Sequence, residues 1–202
     1  MDDEHHRKKR HLGDLLLPST VNAQIKTWLK DDVPTFDYGG YVVGNTIRTA
    51  TLWGKSRGIM AGKPFVQAVF DEVGCKVEWF KDDGDRIDPI CRVATVTGPI
   101  RNILLGERLA LNIMTRASGI ATEALKVRAK ANKAKWYGHV AGTRKLTPGF
   151  RIVEKYALLV GGVSTHRMDL SSMIMLKDNH IWSTGSITKS VQAAKVRRNH
   201  FK

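Results

Sequence analysis

The sequence predicts an α/β protein, from three observations. From residue 46 the pattern turns strand-like, with TIRTATLWGKS alternating apolar and polar side chains, and residues 100–131 repeat apolar side chains at helical spacing. From residue 135 onward, strand-like and helix-like segments follow one another in turn, which is the grammar of parallel β/α architecture. With 202 residues and a 42% hydrophobic fraction, the chain can build one large domain or two small ones around a real core.

The elements are expected in this order. Residues 1–12 read as a disordered basic arm. Leu15, Leu16, Val21, Ile25, Trp28 and Leu29 approximate helical spacing, so a helix is expected over 19–30. VPTFDYGGYVV is turn-rich and leads into the alternating strand TIRTATLWGKS. GIMAGKPFVQAVFDEVG predicts a turn and then a helix opening near Pro64. CKVEWFKDDGDRIDPICRVATVTGP predicts strand, tight turn, strand. Asp82, Asp83 and Asp85 around Gly84 fit an acidic turn and need no metal. In the helical stretch, Ile103, Leu104, Leu111 and Met114 are expected to form the buried stripe, and Ser118-Gly119 to break it into two helices. KWYGHVAGT is expected as a short strand, then a helix with Pro148 in its first turn, then MIMLKDNHI as an apolar strand. A last helix over SITKSVQAAKVRR is expected to be capped by Ser186.

The net charge is +14, from 33 Lys and Arg against 19 Asp and Glu. The segment 187–202 contributes Lys189, Lys195, Arg197, Arg198 and Lys202 without an acid, but most of the excess lies in the body. A basic body suits nucleic acid, a membrane surface or small polyanions. The five tryptophans are scattered rather than interleaved with cations, which argues against nucleic acid. No apolar run approaches the span of a bilayer, which argues against a membrane. Cys75 and Cys91 are too far apart for a CxxC pair and too few for a zinc site. No secretory signal or transit peptide is recognisable at the N-terminus, so the cytoplasm is the expected compartment, with the nucleus as a further one.

Residues 141–180 concentrate Arg144, Lys145, His166, Arg167 and Lys177 at turn-like positions between apolar runs. Loops on a rigid scaffold are where binding chemistry gathers. Arg forks match carboxylates and phosphates bidentately, and Lys supplies a compact point charge. A solvated basic face is the plain alternative. Arg108 adds a cation within the largely apolar ILLGERLAL, where a snorkelling or ion-paired role competes with a ligand or interface role. No Walker A loop, GxGxxG, GxSxG or Cys-His signature accompanies these residues.

AGTRKLTPGFRIVEKYALLVGG, STHRMDLSSMIMLKDNHI and ERLALNIMTRASGIAT resemble quinolinate phosphoribosyltransferase, in its fungal or eukaryotic form, from about residue 12 to about 194. The resemblance implies an N-terminal α/β sandwich domain followed by the first part of an open α/β barrel. In this chain they would occupy residues 13–118 and 119–195, with a divergent tail at 196–202. It implies transfer from phosphoribosyl pyrophosphate to quinolinate, with Mg²⁺, to give nicotinate mononucleotide, CO₂ and pyrophosphate in NAD synthesis. Arg144, His166, Arg167 and Lys177 match positions that hold the quinolinate carboxylates. Lys145 and Lys177 match lysines beside phosphoribosyl pyrophosphate and are the expected catalytic residues. Arg108 matches an arginine that reaches a neighbouring subunit's site, so a homo-oligomer, dimer or hexamer, is expected. None of these six is assigned to the metal.

Two departures stand out. Leu146 occupies the place of a threonine in the family's motif, which is expected to weaken phosphoribosyl binding modestly. The sequence also ends, in KVRRNHFK, before the acidic strand and glycine-rich phosphate loops that the resemblance implies, and most Mg²⁺ ligands are expected there. The expectation is therefore a truncated product with uncovered strand edges at about 136–142 and 173–177, poorly soluble and inactive alone. The alternative is a non-catalytic subunit that pairs with a full-length copy.

Overall fold

A computed structural model describes residues 12–198. The expected basic arm, apart from Leu12, and the last four residues of the expected tail lie outside the described residues. The chain forms two compact units, the first running to Thr165 and the second beginning at His166.

The first unit is built on three antiparallel strands in the order β1-β5-β3: β1 (Ile47–Gly54), β3 (Lys76–Trp79) and β5 (Cys91–Pro99). The β1–β5 register runs from Ile47 opposite Pro99 to Leu52 opposite Ala94, then shifts by one residue at Trp53, as a β-bulge does. Two short strands, β2 (Gly58–Ile59) and β4 (Arg86–Ile87), pair separately. The expected hairpin over residues 75–99 is thus corrected: β3 pairs with β5, while the acidic segment between them detours through β4 to β2. Its acids explain the detour. Asp83 Oδ1 accepts the Lys63 N–H at 3.1 Å at the start of a helix, and Lys63 pairs with Asp82. A carboxylate there meets both the open N–H groups and the helix dipole.

α1 (Pro18–Asp32) and α3 (Lys63–Glu72) form where their apolar spacing predicts, each with Pro in its first turn. A short α2 (Tyr38–Val43) occupies the segment expected only to turn, because Asp37 Oδ1 caps it by accepting the Gly40 N–H at 2.9 Å.

The spine is α4 (Ile100–Lys133), one continuous helix of 34 residues. The break expected at Ser118-Gly119 does not occur. Ser118 Oγ accepts the Ala61 N–H at 3.1 Å, and Thr122 Oγ1 accepts the Ile59 N–H at 2.8 Å while donating to the Ser118 carbonyl at 2.7 Å, so both hydroxyls tie an unbroken α4 to β2 and the segment just after it. The buried stripe also differs from expectation. Ile103 and Met114 belong to it, but Leu104 is exposed, Leu111 is half-buried, and Ile113, Ala117 and Ala121 complete it. Leu109 and Ala110 are buried as well. α3 and the valines of β5 pack on this stripe, with Phe65, Val66 and Val69 from α3 and Val93 and Val96 from β5 in one buried cluster. These side chains are nearly all inaccessible, which makes this cluster the main hydrophobic contribution to stability.

α5 (Arg151–Val160) crosses α4 near its C-terminal half. Small residues allow the close approach. A methyl at Gly161 would lie 2.5 Å from Ala124 Cβ and 2.6 Å from the Ala121 carbonyl oxygen. Pro148 stands before this helix in a turn rather than inside its first turn, since Phe150 is the N-cap.

The expected strand at 136–142 reduces to one parallel bridge, Ala141 opposite Ser164, on either side of α5. Gly142 N–H donates to Ser164 O at 2.8 Å, and Ser164 N–H to Val140 O at 3.0 Å. That bridge is the β/α trace in the first unit. No helix among the described residues is long and apolar enough to cross a membrane.

In the second unit, the segment expected as strand MIML is irregular, and Met173 and Ile174 remain 49% and 58% exposed. A parallel strand needs a hydrogen-bonded neighbour on its flank. None pairs with this segment among the described residues. The chain enters α6 (Asp178–Thr184) directly, then α7 (Ile187–Arg198). Ser186 Oγ accepts the Lys189 N–H at 3.1 Å, as expected of an N-cap.

Candidate active site

The six cationic or imidazole residues selected from sequence lie in three places. Arg108 is exposed on α4. Arg144 and Lys145 are exposed in the loop that enters α5. His166, Arg167 and Lys177 belong to the second unit, the first two at its start and Lys177 at the N-cap of α6.

The loop carrying Arg144 and Lys145 is held at both ends. On its far side, Thr147 donates through its hydroxyl to Glu154 Oε1 at 2.8 Å and through its N–H to Oε2 at 3.2 Å. Arg116 on α4 adds two bonds to the same carboxylate, at 3.0 and 2.8 Å. Burial works to raise the Glu154 pKa, but the bonds from Thr147 and Arg116 outweigh it and hold the carboxyl below the ordinary glutamate range. On the near side, Lys155 Nζ donates to Thr143 O at 2.8 Å and also to Thr165 O. Burial first, and then the charge of Arg151, lower the Lys155 pKa.

Between these anchors, Arg144 and Lys145 have no side-chain hydrogen bond or ion pair among the described residues. The same holds for Arg108. Among the described residues no anion cancels the field of these three cations locally.

In the second unit His166 takes a left-handed backbone conformation, φ 57°. Residues other than glycine adopt that region sparingly, and such positions gather at functional sites. Its Nδ1 accepts the Arg167 N–H at 2.7 Å, a role that requires this nitrogen to be unprotonated. Arg167 is only 7% exposed, whereas Lys177 is exposed. The Lys177 N–H donates to His180 Nδ1 at 3.1 Å, which fixes the backbone entering α6.

A largely apolar groove of about 640 Å³ runs between α4 and α5 and reaches Ala141 and Gly142, just before the loop. Ile120, Val127 and Leu158 line it, and none of the six residues selected from sequence does. Among the described residues, no group of three or more His, Cys, Asp and Glu side chains could hold a metal ion.

Sequence reasoning overlooked the anchors. Glu154, Lys155 and Tyr156 are consecutive and buried on α5, although two of them are charged. The signal available was the EKY triplet inside the apolar helix RIVEKYALLV, since a charge buried in such a helix needs a specific partner.

Comparison with known proteins assigns the chain. Residues 34–118 match the family model described as "Quinolinate phosphoribosyl transferase, N-terminal domain", and residues 120–202 match the model of its C-terminal domain. The chain is 49% identical over 184 residues to the human nicotinate-nucleotide pyrophosphorylase [carboxylating], covering 91% of this chain and 62% of that protein. It is 48% identical over 199 residues to the protein of that name from Dictyostelium discoideum, covering 91% of this chain and 66% of the other. NadC from Streptococcus pyogenes has a similar structure, with a TM-score of 0.83 at 33% identity over 91% of this chain and 66% of its own. The nicotinate-nucleotide pyrophosphorylase from Francisella tularensis gives 0.81 at 29% identity, over 89% of this chain and 64% of its own. The chain thus spans less than two thirds of the length of these relatives. With both family domains matched in order, on an α/β fold shared with solved members, the chain belongs to the quinolinate phosphoribosyl transferase family.

Proposed function

We propose that this chain binds quinolinate and serves phosphoribosyl transfer to it, forming nicotinate mononucleotide, CO₂ and pyrophosphate. The observation that carries the reading is the anchored loop Thr143–Thr147, which presents Arg144 and Lys145 without counter-ions among the described residues. Quinolinate bears two carboxylates and phosphoribosyl pyrophosphate a dense anionic charge. Cations held in place beforehand offset the cost of bringing those charges together.

In this reading Arg144, His166, Arg167 and Lys177 hold the carboxylates, and Lys145 and Lys177 stand beside the phosphoribosyl donor. Arg108 serves the site of a second copy. As the bond from the anomeric carbon to pyrophosphate breaks, the pyridine nitrogen forms its bond to that carbon. The adjacent carboxylate then leaves as CO₂. The electron pair of its broken C–C bond is stabilised by the positive ring nitrogen until a proton replaces it. Positioning and electrostatics supply most of the rate. Mg²⁺ would accompany phosphoribosyl pyrophosphate, and the cytoplasm is the compartment proposed.

Assembly with like copies belongs to the same proposal. Phe36, Tyr38 and Tyr41 cluster their rings at 5.0 and 5.7 Å while staying 44%, 77% and 70% exposed. Exposed apolar groups of this kind are commonly covered by a partner.

Titration calorimetry of the purified chain with quinolinate and with nicotinate tests the substrate reading. Quinolinate is expected to bind at least about tenfold more tightly, because nicotinate lacks one carboxylate and leaves a cation without its partner. Equal affinity for the two, or no binding by folded protein, would overturn it. Nicotinate mononucleotide formed on adding phosphoribosyl pyrophosphate and Mg²⁺ would extend the reading from binding to transfer. Quinolinate binding and co-purification with a full-length relative, without turnover, would favour a non-catalytic subunit.

A further inference from the structure

Lys155 is the most deeply buried charged side chain among the described residues, 1% exposed in the middle of α5. It has no ion-pair partner among them. Its ammonium instead donates to two backbone carbonyls, Thr143 O at 2.8 Å and Thr165 O. A buried ammonium is costly unless hydrogen-bonded, and here both acceptors are neutral.

The two carbonyls share one property. Thr143 immediately precedes Arg144, and Thr165 immediately precedes His166. A carbonyl and the following N–H form one rigid plane. Holding the two oxygens therefore sets the peptide planes through which the chain enters Arg144 and His166. The same segments are joined just upstream by the Ala141–Ser164 bridge, two residues before Thr143 and one before Thr165, so Lys155 closes the end of that short parallel pairing. Glu154, its neighbour in sequence, fixes the other end of the Arg144–Lys145 loop through Thr147.

We infer that Lys155 is a positioning residue whose ammonium, through the carbonyls of Thr143 and Thr165, orients the peptide units leading into Arg144 and His166 before any ligand arrives. The inference rests on the quinolinate reading for its consequence, but the tether itself does not depend on that reading. Burial lowers the Lys155 pKa, while its terminal nitrogen, a donor group, lies within hydrogen-bond reach of both carbonyl acceptors.

Hydrogen exchange and calorimetry on the whole chain test it, with Lys155→Met, which keeps the length and removes the donors, and Lys155→Arg, which keeps them. In Lys155→Met, protection at the amides of Gly142, Thr147 and Ser164 is expected to fall about tenfold while β1 and β5 are unchanged, and quinolinate affinity to fall about tenfold. Lys155→Arg is expected to recover part of both. A folded Lys155→Met protein with parental loop protection and parental affinity overturns the inference, as does an arginine variant no better than methionine. If Lys155→Met does not fold, the parent decides. Gly142, Thr147 and Ser164 amides protected together with α5 support the tether, and amides exchanging freely while α5 stays protected overturn it. A parent that fails to bind quinolinate, with a loop that still loosens in Lys155→Met, sinks the ligand reading and leaves the tether standing.

Discussion

The phenol of Tyr156 donates to Asp83 Oδ2 at 2.6 Å, joining α5 to the acidic loop after β3 across 73 residues of sequence. Asp83 also accepts the Lys63 N–H that opens α3. One carboxylate thus ties α5 to the helix that supplies much of the core. Burial raises the Asp83 pKa despite the bonds from Tyr156 and Lys63, and burial with the Asp83 charge pushes the Tyr156 phenol well above its ordinary value.

Tyr156→Phe is expected to destabilise the fold by about 1–3 kcal/mol, because it leaves a buried carboxylate short of a donor. Its pH signature is specific. A raised folded pKa means the folded state holds the Asp83 proton more tightly than the unfolded state. The favourable contribution is full below the ordinary aspartate range and is lost as pH rises through the raised value. Removing the phenol lifts that value further, so the loss should move to higher pH. Denaturant midpoints measured across acid to neutral pH check this, and an unshifted profile would count against it.

Glu154 carries the opposite sign. Its folded pKa is held below the ordinary glutamate range, so its contribution is present above that range and is lost as pH falls through the depressed value. Arg116 is 55% exposed on its side chain, which screens the ion pair. Glu154→Gln is therefore expected to cost about 1–3 kcal/mol at neutral pH, mostly through the buried bonds to Thr147, and less in acid. Thermal unfolding at neutral pH and at about pH 3 should show the gap between parent and variant closing.

Two glycines predict opposite outcomes. At Gly161 a methyl would meet Ala124 and the Ala121 carbonyl at 2.5 and 2.6 Å, so Gly161→Ala is expected to destabilise by about 1–3 kcal/mol. Gly119 lies inside α4 with nothing within 4 Å of an added methyl. Gly119→Ala is expected to stabilise by about 0.5–1 kcal/mol. Chemical denaturation of both variants reads the two signs in one experiment.

What the sequence revealed and what it hid divide along physical lines. α1, α3, β1 and the capped α7 were legible because their signals are local: apolar spacing, a proline in the first turn, a serine before a helix. The continuity of α4 was not, because Ser118 and Thr122 are stabilised by N–H groups some sixty residues earlier in the chain. Residues 136–142 and 173–177 have strand composition, but a ladder depends on a neighbour that composition cannot name. The cationic residues were readable as side chains suited to anions. The anchors beneath them were not, since no local pattern says that Lys155 will meet the carbonyls of Thr143 and Thr165.

The exposed loop cations separate binding from stability. Arg144 and Lys145 are solvent-exposed and make no side-chain bond among the described residues, so their removal leaves nothing buried without a partner. Arg144→Ala and Lys145→Ala should each change stability by less than about 0.5 kcal/mol. If Arg144 grips a quinolinate carboxylate, its alanine variant should bind quinolinate at least about tenfold more weakly, the loss of a charge-assisted pair. Lys145→Ala should leave quinolinate affinity less changed and weaken phosphoribosyl pyrophosphate more. That contrast follows because a point charge beside a phosphate acts on the donor, while the planar fork of Arg144 matches a carboxylate. Calorimetry with each ligand on both variants reads the contrast directly. Equal losses for both ligands in both variants would mean a diffuse basic surface, with no division of labour between the two side chains.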